Sequence, residues 1–147
     1  IYKRTGSSWA QEAYIKAVNN NANDWFGTSL ALDNNTLVVG AKNEDSNQTT
    51  ITNSTLASSN DSSSNSGAVY VYKRNGSNWS QESYIKATNN MSEDNFGWDV
   101  SIFGDTMAVG VPSEDSNQTT ITNGTSASSN NSNTDSGAVY LYTFSAQ

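Results

Sequence analysis

The sequence predicts an all-β protein, and three observations point to that class. A unit of about seventy residues occurs twice, because residues 44–53 return unchanged as residues 114–123. The apolar residues are rich in Val, Ile, Tyr, Trp and Phe, which favour pleated, half-buried surfaces. Short apolar runs alternate with Gly, Asn and Asp, which favour turns. Any account of function must therefore explain a duplicated β unit.

Composition narrows the classes of partner. Only 34% of the 147 residues are apolar, so the core must be thin. The net charge of -7 should repel phosphate backbones and anionic membranes. We therefore expect no nucleic-acid partner. Because no apolar run reaches eighteen residues, we also expect no membrane insertion.

The absence of Cys and His removes whole classes of chemistry. Without Cys there is no thiol nucleophile, and without His the commonest general base and zinc ligand is missing. We therefore predict that the protein is not an enzyme and requires no cofactor. Residues 1–4 align with residues 71–74 inside a strand, so we expect a chain that was processed or cut from a longer protein.

The first element is predicted to be a hairpin over residues 1–17. Residues 1–4 form one strand, residues 5–8 the turn, and residues 9–17 the second strand. The second copy turns through Asn75-Gly76, the strongest short hairpin signal. Together with the connection that follows, this hairpin makes up residues 1–25.

Two further strands follow in each copy. Residues 29–32 alternate in polarity, and a tight turn at residues 33–35 leads into the apolar run 37–41. A continuous run of small apolar residues is typical of a strand buried on both faces. In the second copy the corresponding strands are residues 99–102 and 107–111, joined at Gly104-Asp105.

A polar loop of twenty-four residues comes next, at 43–66 and again at 113–136. Loops of this length are usually functional or disordered. Without the loop, about forty-six residues of the repeat remain, the length of a four-stranded propeller blade. A final strand, 67–74 or 137–144, closes the unit. We expect the loop to be displayed by the fold without helping to build it.

The motifs resemble a known family. Phe26-Gly27 followed by Gly40-Ala41-Lys42, and Phe96-Gly97 followed by Gly110-Val111-Pro112, resemble the FG-GAP repeat of integrin-α-type β-propellers. Bacterial extracellular versions of the repeat are a closer likeness. The resemblance implies two four-stranded antiparallel propeller-type blades, at residues 26–95 (blade 1) and 96–147 (blade 2). The tight turns carry no Asp-x-Asp-x-Asp-Gly loop, so no integrin-type calcium site can be transferred.

The strand count leaves one strand spare and one position empty. Blade 1 ends with its own outer strand at residues 79–87, whereas blade 2 has none, and residues 9–17 are an outer strand without a blade. Either a longer polypeptide fills the position, or a neighbouring copy donates its spare strand. Donation would produce a closed propeller or an open filament. Residues 1–4 and 141–144 occupy the same repeat position, so one of them must be displaced. The predicted assembly residues are Trp9, Tyr14, Ile15, Val139, Tyr140 and Leu141.

Acceptor sequences for N-linked sugars recur at equal offsets in the two loops. A solvated loop that merely prevents aggregation is the alternative to a loop that carries covalent glycans. The candidate asparagines are Asn47, Asn53, Asn60, Asn117, Asn123 and Asn130 in the loops, with Asn34 and Asn90 outside them.

Two acidic pairs open the loops. Glu44 and Asp45, with Glu114 and Asp115, could supply the oxygen ligands that calcium prefers. The alternative is that they accept backbone hydrogen bonds in turns. A glycosidase-like role is disfavoured, because nothing indicates a cleft.

These features favour a non-enzymatic extracellular or cell-surface protein with a structural or adhesive role. It would assemble with copies of itself by strand complementation and display glycosylated loops. The alternative is an integrin-like propeller segment of a larger surface adhesin, with a protein or carbohydrate ligand. A carboxylate hydrolase is a third and weaker hypothesis.

Overall fold

The computed structural model describes residues 1–144, and all regular structure in that range is β-strand. Residues 145–147, at the end of the predicted blade 2, lie outside the described range. The strands are β1 (Tyr2–Thr5), β2 (Ser8–Gln11), β3 (Phe26–Asp33), β4 (Thr36–Ala41), β5 (Ile51–Thr52), β6 (Ala68–Asn75), β7 (Asn78–Ile85), β8 (Asp99–Phe103), β9 (Thr106–Val111) and β10 (Ala138–Thr143). The predicted all-β class is confirmed.

The strands form three antiparallel sheets. Blade 1 has the order β3-β4-β6-β7-β5, blade 2 has the order β10-β9-β8, and β1 and β2 form a separate hairpin. Within residues 1–144, β9 is the only strand that pairs with β10. The outer edge of β10 is therefore open.

The tight turns depend on residues that tolerate a left-handed backbone. Asn34 has a φ of 51° between β3 and β4, and Gly104 has a φ of 60° at the same place in blade 2. Asn and Gly are the residues that adopt this conformation most readily. A left-handed residue therefore occupies the same position in both turns despite their different sequences.

Two hydrophobic clusters lie on the two faces of blade 1. Val38, Val69 and Val71 pack with Phe96 and Met107 of blade 2 in the first cluster. On the other face, a second cluster contains Leu37, Val39, Tyr70 and Tyr84, with Ile1 and Ile15 packed against it. Because alternate residues of β4 enter opposite clusters, β4 is buried along its whole length, as its apolar run predicts.

The two blades meet along a short backbone seam. Gly67 and Phe96 form an isolated parallel bridge, and the Phe96 amide donates to the Ser66 carbonyl at 2.9 Å. The Ser29 hydroxyl donates to the Gly97 carbonyl at 2.9 Å. The Phe-Gly pair that begins blade 2 is thus held directly by blade 1.

The prediction that a strand extends over residues 9–17 is wrong, because β2 ends at Gln11. In the second copy, β7 continues to Ile85 because β6 runs beside it back to Val69. β1 begins only at Tyr2, so within residues 1–144 no neighbouring strand lies beside residues 13–17. A strand needs such a partner for its backbone hydrogen bonds.

Candidate functional site

The repeated polar loop begins inside the protein. Glu44 follows β4 closely and is buried. Its carboxylate accepts hydrogen bonds from Lys86 Nζ at 2.7 Å, Tyr84 hydroxyl at 2.8 Å and Asn19 Nδ2 at 2.9 Å. The expectation that this segment does not help to build the fold is therefore wrong. A buried carboxylate needs charged and hydrogen-bonding partners, and those partners join distant parts of blade 1.

Lys86 is the cationic partner, and it is also fully buried. Its Nζ donates to the Ser66 hydroxyl at 2.8 Å as well as to Glu44. Burial lowers the pKa of Lys86, while the adjacent Glu44 carboxylate favours the charged form and opposes that shift. Burial also raises the pKa of Tyr84, so its hydroxyl keeps the proton that it donates.

Blade 2 contains the same carboxylate with fewer partners. Glu114 is buried and accepts hydrogen bonds from Asn89 Nδ2 at 2.9 Å and the Ser116 amide at 3.1 Å. The Tyr140 hydroxyl orients Asn89 through a 2.6 Å hydrogen bond to its Oδ1. In the described range Glu114 has no ion pair with a lysine or arginine. Its site is therefore the Glu44 site without the lysine and tyrosine.

Tyr14 and Lys16, in the first copy of the repeat, are equivalent to Tyr84 and Lys86 in the second. Tyr14 is 80% exposed, and Lys16 is exposed as well. Ile15, between them, packs against the second cluster. The segment therefore presents the tyrosine and lysine to solvent while its isoleucine is partly covered.

The remaining predicted assembly residues lie on exposed strands. Trp9 is exposed on β2, and Val139 and Leu141 are exposed on β10. Tyr140 is partly buried, and its ring stacks edge-on against Phe96 at 5.4 Å between centroids. The structure therefore leaves one face and the outer edge of β10 uncovered.

Asp45 and Asp115 organise their loops internally. Asp45 Oδ1 accepts the Asn65 amide at 2.7 Å, and Asp115 Oδ1 accepts the Asp135 amide at 2.8 Å. These contacts correspond to the turn-capping alternative. Among residues 1–144, no three His, Cys, Asp or Glu side chains form a group that could hold a metal ion. Calcium binding stays a prediction.

The end of the repeated segment differs between the copies. Ile51 and Thr52 form β5, which pairs with Ile85 and Tyr84 at the outer edge of β7. The identical residues 121 and 122 form no strand, and blade 2 has no outer strand in the described range. The loop of blade 1 therefore covers its own sheet edge.

The glycan candidates differ in accessibility. Asn90 is partly buried, and its Nδ2, the atom to which a sugar would attach, donates to the Ser46 carbonyl at 3.0 Å. The exposed candidates are Asn34, Asn47, Asn53, Asn60, Asn117, Asn123 and Asn130.

An aromatic pair flanks one lysine at the junction of the blades. Lys42 Nζ lies 3.7 Å from the ring centre of Trp98 and 4.7 Å from that of Trp25. Both indoles keep about half of their surface exposed. This geometry is that of a cation–π contact on an accessible surface.

Sequence reasoning missed the role of Lys86 and of the two asparagines, Asn19 and Asn89. The available signal was the run Tyr-Ile-Lys-Ala, identical at residues 14–17 and 84–87. A lysine between apolar residues of a predicted strand indicates a specific acidic partner, since lysine is rarely buried alone, and Lys86 has that partner in Glu44 whereas Lys16 is exposed.

The FG-GAP repeat model matches residues 9–54 and 79–142, which together make up more than half of the sequence. The chain belongs to the FG-GAP repeat family. The antiparallel sheets are consistent with the propeller-type blades of that family, which is generally non-enzymatic and typically extracellular. No curated protein matches this FG-GAP chain. Its described residues include no helix long and apolar enough to cross a membrane.

Proposed function

We propose that this FG-GAP chain is a non-enzymatic, extracellular structural or adhesive protein that assembles with copies of itself by strand complementation. One observation carries the proposal. Blade 1 contains its outer strand β7, whereas the outer edge of β10 is open within residues 1–144, and residues 9–17 add no strand to either blade sheet in that range. An open edge with unpaired backbone groups is a template for a further strand.

The register of blade 1 specifies how the strand would pair. Val69 lies opposite Ile85, and Tyr70 lies opposite Tyr84. At the same repeat positions, Val139 of one copy would lie opposite Ile15 of the next, and Tyr140 opposite Tyr14. The contact is head-to-tail, so repeated addition produces a closed propeller where the rotation closes and an open filament where it does not.

The polar loops would form the outer surface of the assembly. Both loops expose three sugar-acceptor asparagines each, and their Ser and Thr hydroxyls are further acceptors. We propose that these loops carry glycans. Intact-mass measurement of native protein before and after deglycosylation tests this, and an unchanged mass would contradict it.

Association measurements test the assembly. The wild-type chain should form higher oligomers in analytical ultracentrifugation and electron microscopy. Tyr14→Pro should abolish them, because proline is incompatible with the middle of a paired strand. Ser126→Pro, which introduces proline at an exposed loop residue outside any strand, is the control. A wild-type chain that stays monomeric at every concentration, or a Tyr14→Pro variant that assembles normally, would disprove strand complementation.

A second candidate function is ligand binding by a propeller segment of a larger adhesin. The exposed Trp25 and Trp98, with Lys42 between them, support it, since aromatic faces are common contact surfaces for sugars and proteins. Trp98→Ala should then weaken binding to an oligosaccharide panel. Phe103→Ala removes an even more exposed aromatic ring, 87% against 45%, at the far end of β8 and serves as the control. Equal binding by both variants would count against this function.

A further inference from the structure

The contact between the two blades contains an apolar match between specific side chains. Val69 and Val71 of blade 1 are 0% exposed, and they share a cluster with Val100 and Ile102 of blade 2. The face of blade 1 that contains Val69 and Val71 is thus covered by blade 2, whose first strand β8 lies closest to β3 and β4.

Each of these two pairs of side chains has an equivalent pair in the other blade, and the equivalent pairs are exposed to solvent. The blade 2 equivalents of Val69 and Val71 are Val139 and Leu141, which are 70% and 71% exposed. The blade 1 equivalents of Val100 and Ile102 are Leu30 and Leu32, which are 64% and 58% exposed. Blade 1 therefore exposes one apolar pair and blade 2 exposes the other. Together they are equivalent to the two pairs that already share a cluster between the blades.

The backbone contact between the blades also has an equivalent position in blade 2, where, within residues 1–144, no neighbouring blade is bound. Blade 1 holds Phe96-Gly97 so closely that a Cβ atom at Gly40 would overlap the Gly97 carbonyl oxygen. At Gly110, the equivalent position in blade 2, the nearest atom to such a Cβ is 3.8 Å away. Gly110 lines an open groove of about 840 Å³ with Trp98, Pro112, Gly137 and Val139. The groove lies where blade 2 would hold the Phe-Gly pair of a following blade.

The third feature is the charge at Glu114. Glu44, its equivalent, accepts hydrogen bonds from Tyr84 of the outer strand β7 and from Lys86 directly after it. Glu114 receives neither within the described range, although it is buried. The exposed Tyr14 and Lys16 provide the same two side chains on a segment that belongs to no strand.

We infer that a second copy of this chain docks on blade 2 as blade 2 docks on blade 1, with its Phe26-Gly27 in the groove and its Tyr14 and Lys16 on Glu114. This inference rests on the proposed self-assembly and names the contacts that select the partner. The segment 8–27 retains Tyr, Lys, Phe and Gly at the four positions that make the internal contact. The apolar faces, the groove and the charges thus all select the same occupant.

Docking also requires a rearrangement at the beginning of the chain. The amino group of Ile1 donates to the Ala13 carbonyl at 2.8 Å, and Tyr2 pairs with Gln11. By the register of blade 1, Leu141 of the neighbouring copy takes the place of Ile1, and Tyr142 that of Tyr2. β1 therefore leaves β2 when the second copy binds.

Association of variants of the full chain tests the inference. Lys16→Met and Glu114→Gln should each weaken assembly at least about thirtyfold, because each leaves half of a desolvated pair. The double variant should be no weaker than Lys16→Met, since the two changes remove one interaction. Lys3→Met is the control for loss of one exposed positive charge, and it should associate like the wild type. Sedimentation velocity over a concentration series measures all four.

Gly110→Ala provides a second, uncharged test. The monomer has room for the methyl group, so the variant should keep wild-type stability, yet the methyl should overlap Gly27 of a docked copy and block assembly. Normal assembly of Lys16→Met, Glu114→Gln and Gly110→Ala would overturn the inference. Strand complementation is tested separately, by Tyr14→Pro. A native chain whose intact mass includes a further repeat would also overturn it, because that repeat would then be the occupant.

Discussion

Blade 1 and blade 2 contain the same buried carboxylate, and its surroundings differ. Glu44 is held by a tyrosine of β7 and by the lysine directly after that strand, whereas within residues 1–144 the Glu114 carboxylate has only the asparagine and amide partners that the two sites share. The same contrast appears at the sheet edges. β7 is covered by β5, and β10 is open within residues 1–144.

This difference shows that one sequence can have two structural outcomes within one chain. Residues 44–53 and 114–123 are identical, yet only the first copy forms a strand. The deciding factor is the neighbour: Ile51 and Thr52 have β7 beside them. The loop thus depends on the outer strand of its blade for part of its structure.

The largest expected effect separates Lys86 from Lys16, which occupy the same repeat position. Lys86→Met should destabilise the protein by about 3 to 5 kcal/mol, because it leaves Glu44 buried and unpaired. Lys16→Met should change stability by less than about 0.5 kcal/mol, since Lys16 is exposed. Urea unfolding followed by tryptophan fluorescence at dilute concentration measures both. Equal losses would mean that the ion pair has no special role.

A smaller contrast is expected between Gly40 and Gly110. Gly40→Ala should cost about 1 to 3 kcal/mol, since its methyl group would push blade 2 away from blade 1. Gly110→Ala should leave stability within about 0.5 kcal/mol of the wild type. The same unfolding assay applies. A harmless Gly40→Ala would show that the seam between the blades is loose.

The folding stability should depend on pH through one buried aspartate in each copy of the repeat. Burial raises the pKa of Asp94 from its ordinary value of 3.8 to about 6, and the negative charges of Glu114 and Asp115 add to the shift. Burial raises the pKa of the equivalent Asp24 as well. Because the folded state binds these protons more tightly than the unfolded chain, stability should fall as pH rises from about 4 to about 6.

Asp94→Asn tests this dependence, because the amide oxygen can still accept the Met91 hydrogen bond without titrating. The variant should show a flatter stability curve between pH 4 and pH 6, measured by urea unfolding. An Asp94→Asn curve that declines as steeply as the wild type would assign the pH dependence to other groups.

The smallest effect concerns the loop strand. Thr52→Pro should disrupt β5 and cost about 1 kcal/mol, with faster amide exchange at the edge of β7. Thr122→Pro changes the identical residue outside any strand, so it should have almost no effect. Both threonines accept a glutamine hydrogen bond, so the loss of that contact cancels in the comparison. Hydrogen exchange detected by mass spectrometry gives the result.

Much of the fold could be predicted because its signals are local. The apolar runs at residues 37–41 and 107–111 and the Asn-Gly turn at residues 75–76 correspond to β4, β9 and the β6–β7 hairpin. The site could not be predicted in the same way. Glu44 and Lys86 lie forty-two residues apart, and nothing in the polar surroundings of Glu44 indicates that it is buried.

The sequence by itself determined the repeat, the order of the strands and the equivalence of Glu44 with Glu114 and of Lys86 with Lys16. Only the tertiary structure decided which member of each pair has its partners. Strand pairing and desolvation depend on residues that are distant in the chain, so identical segments differ wherever their neighbours differ. Residues 9–17 and 79–87 show this most directly. Pairing with β6 extends the strand at residues 79–87 as far as Ile85, whereas pairing with the shorter β1 ends the strand at residues 9–17 at Gln11.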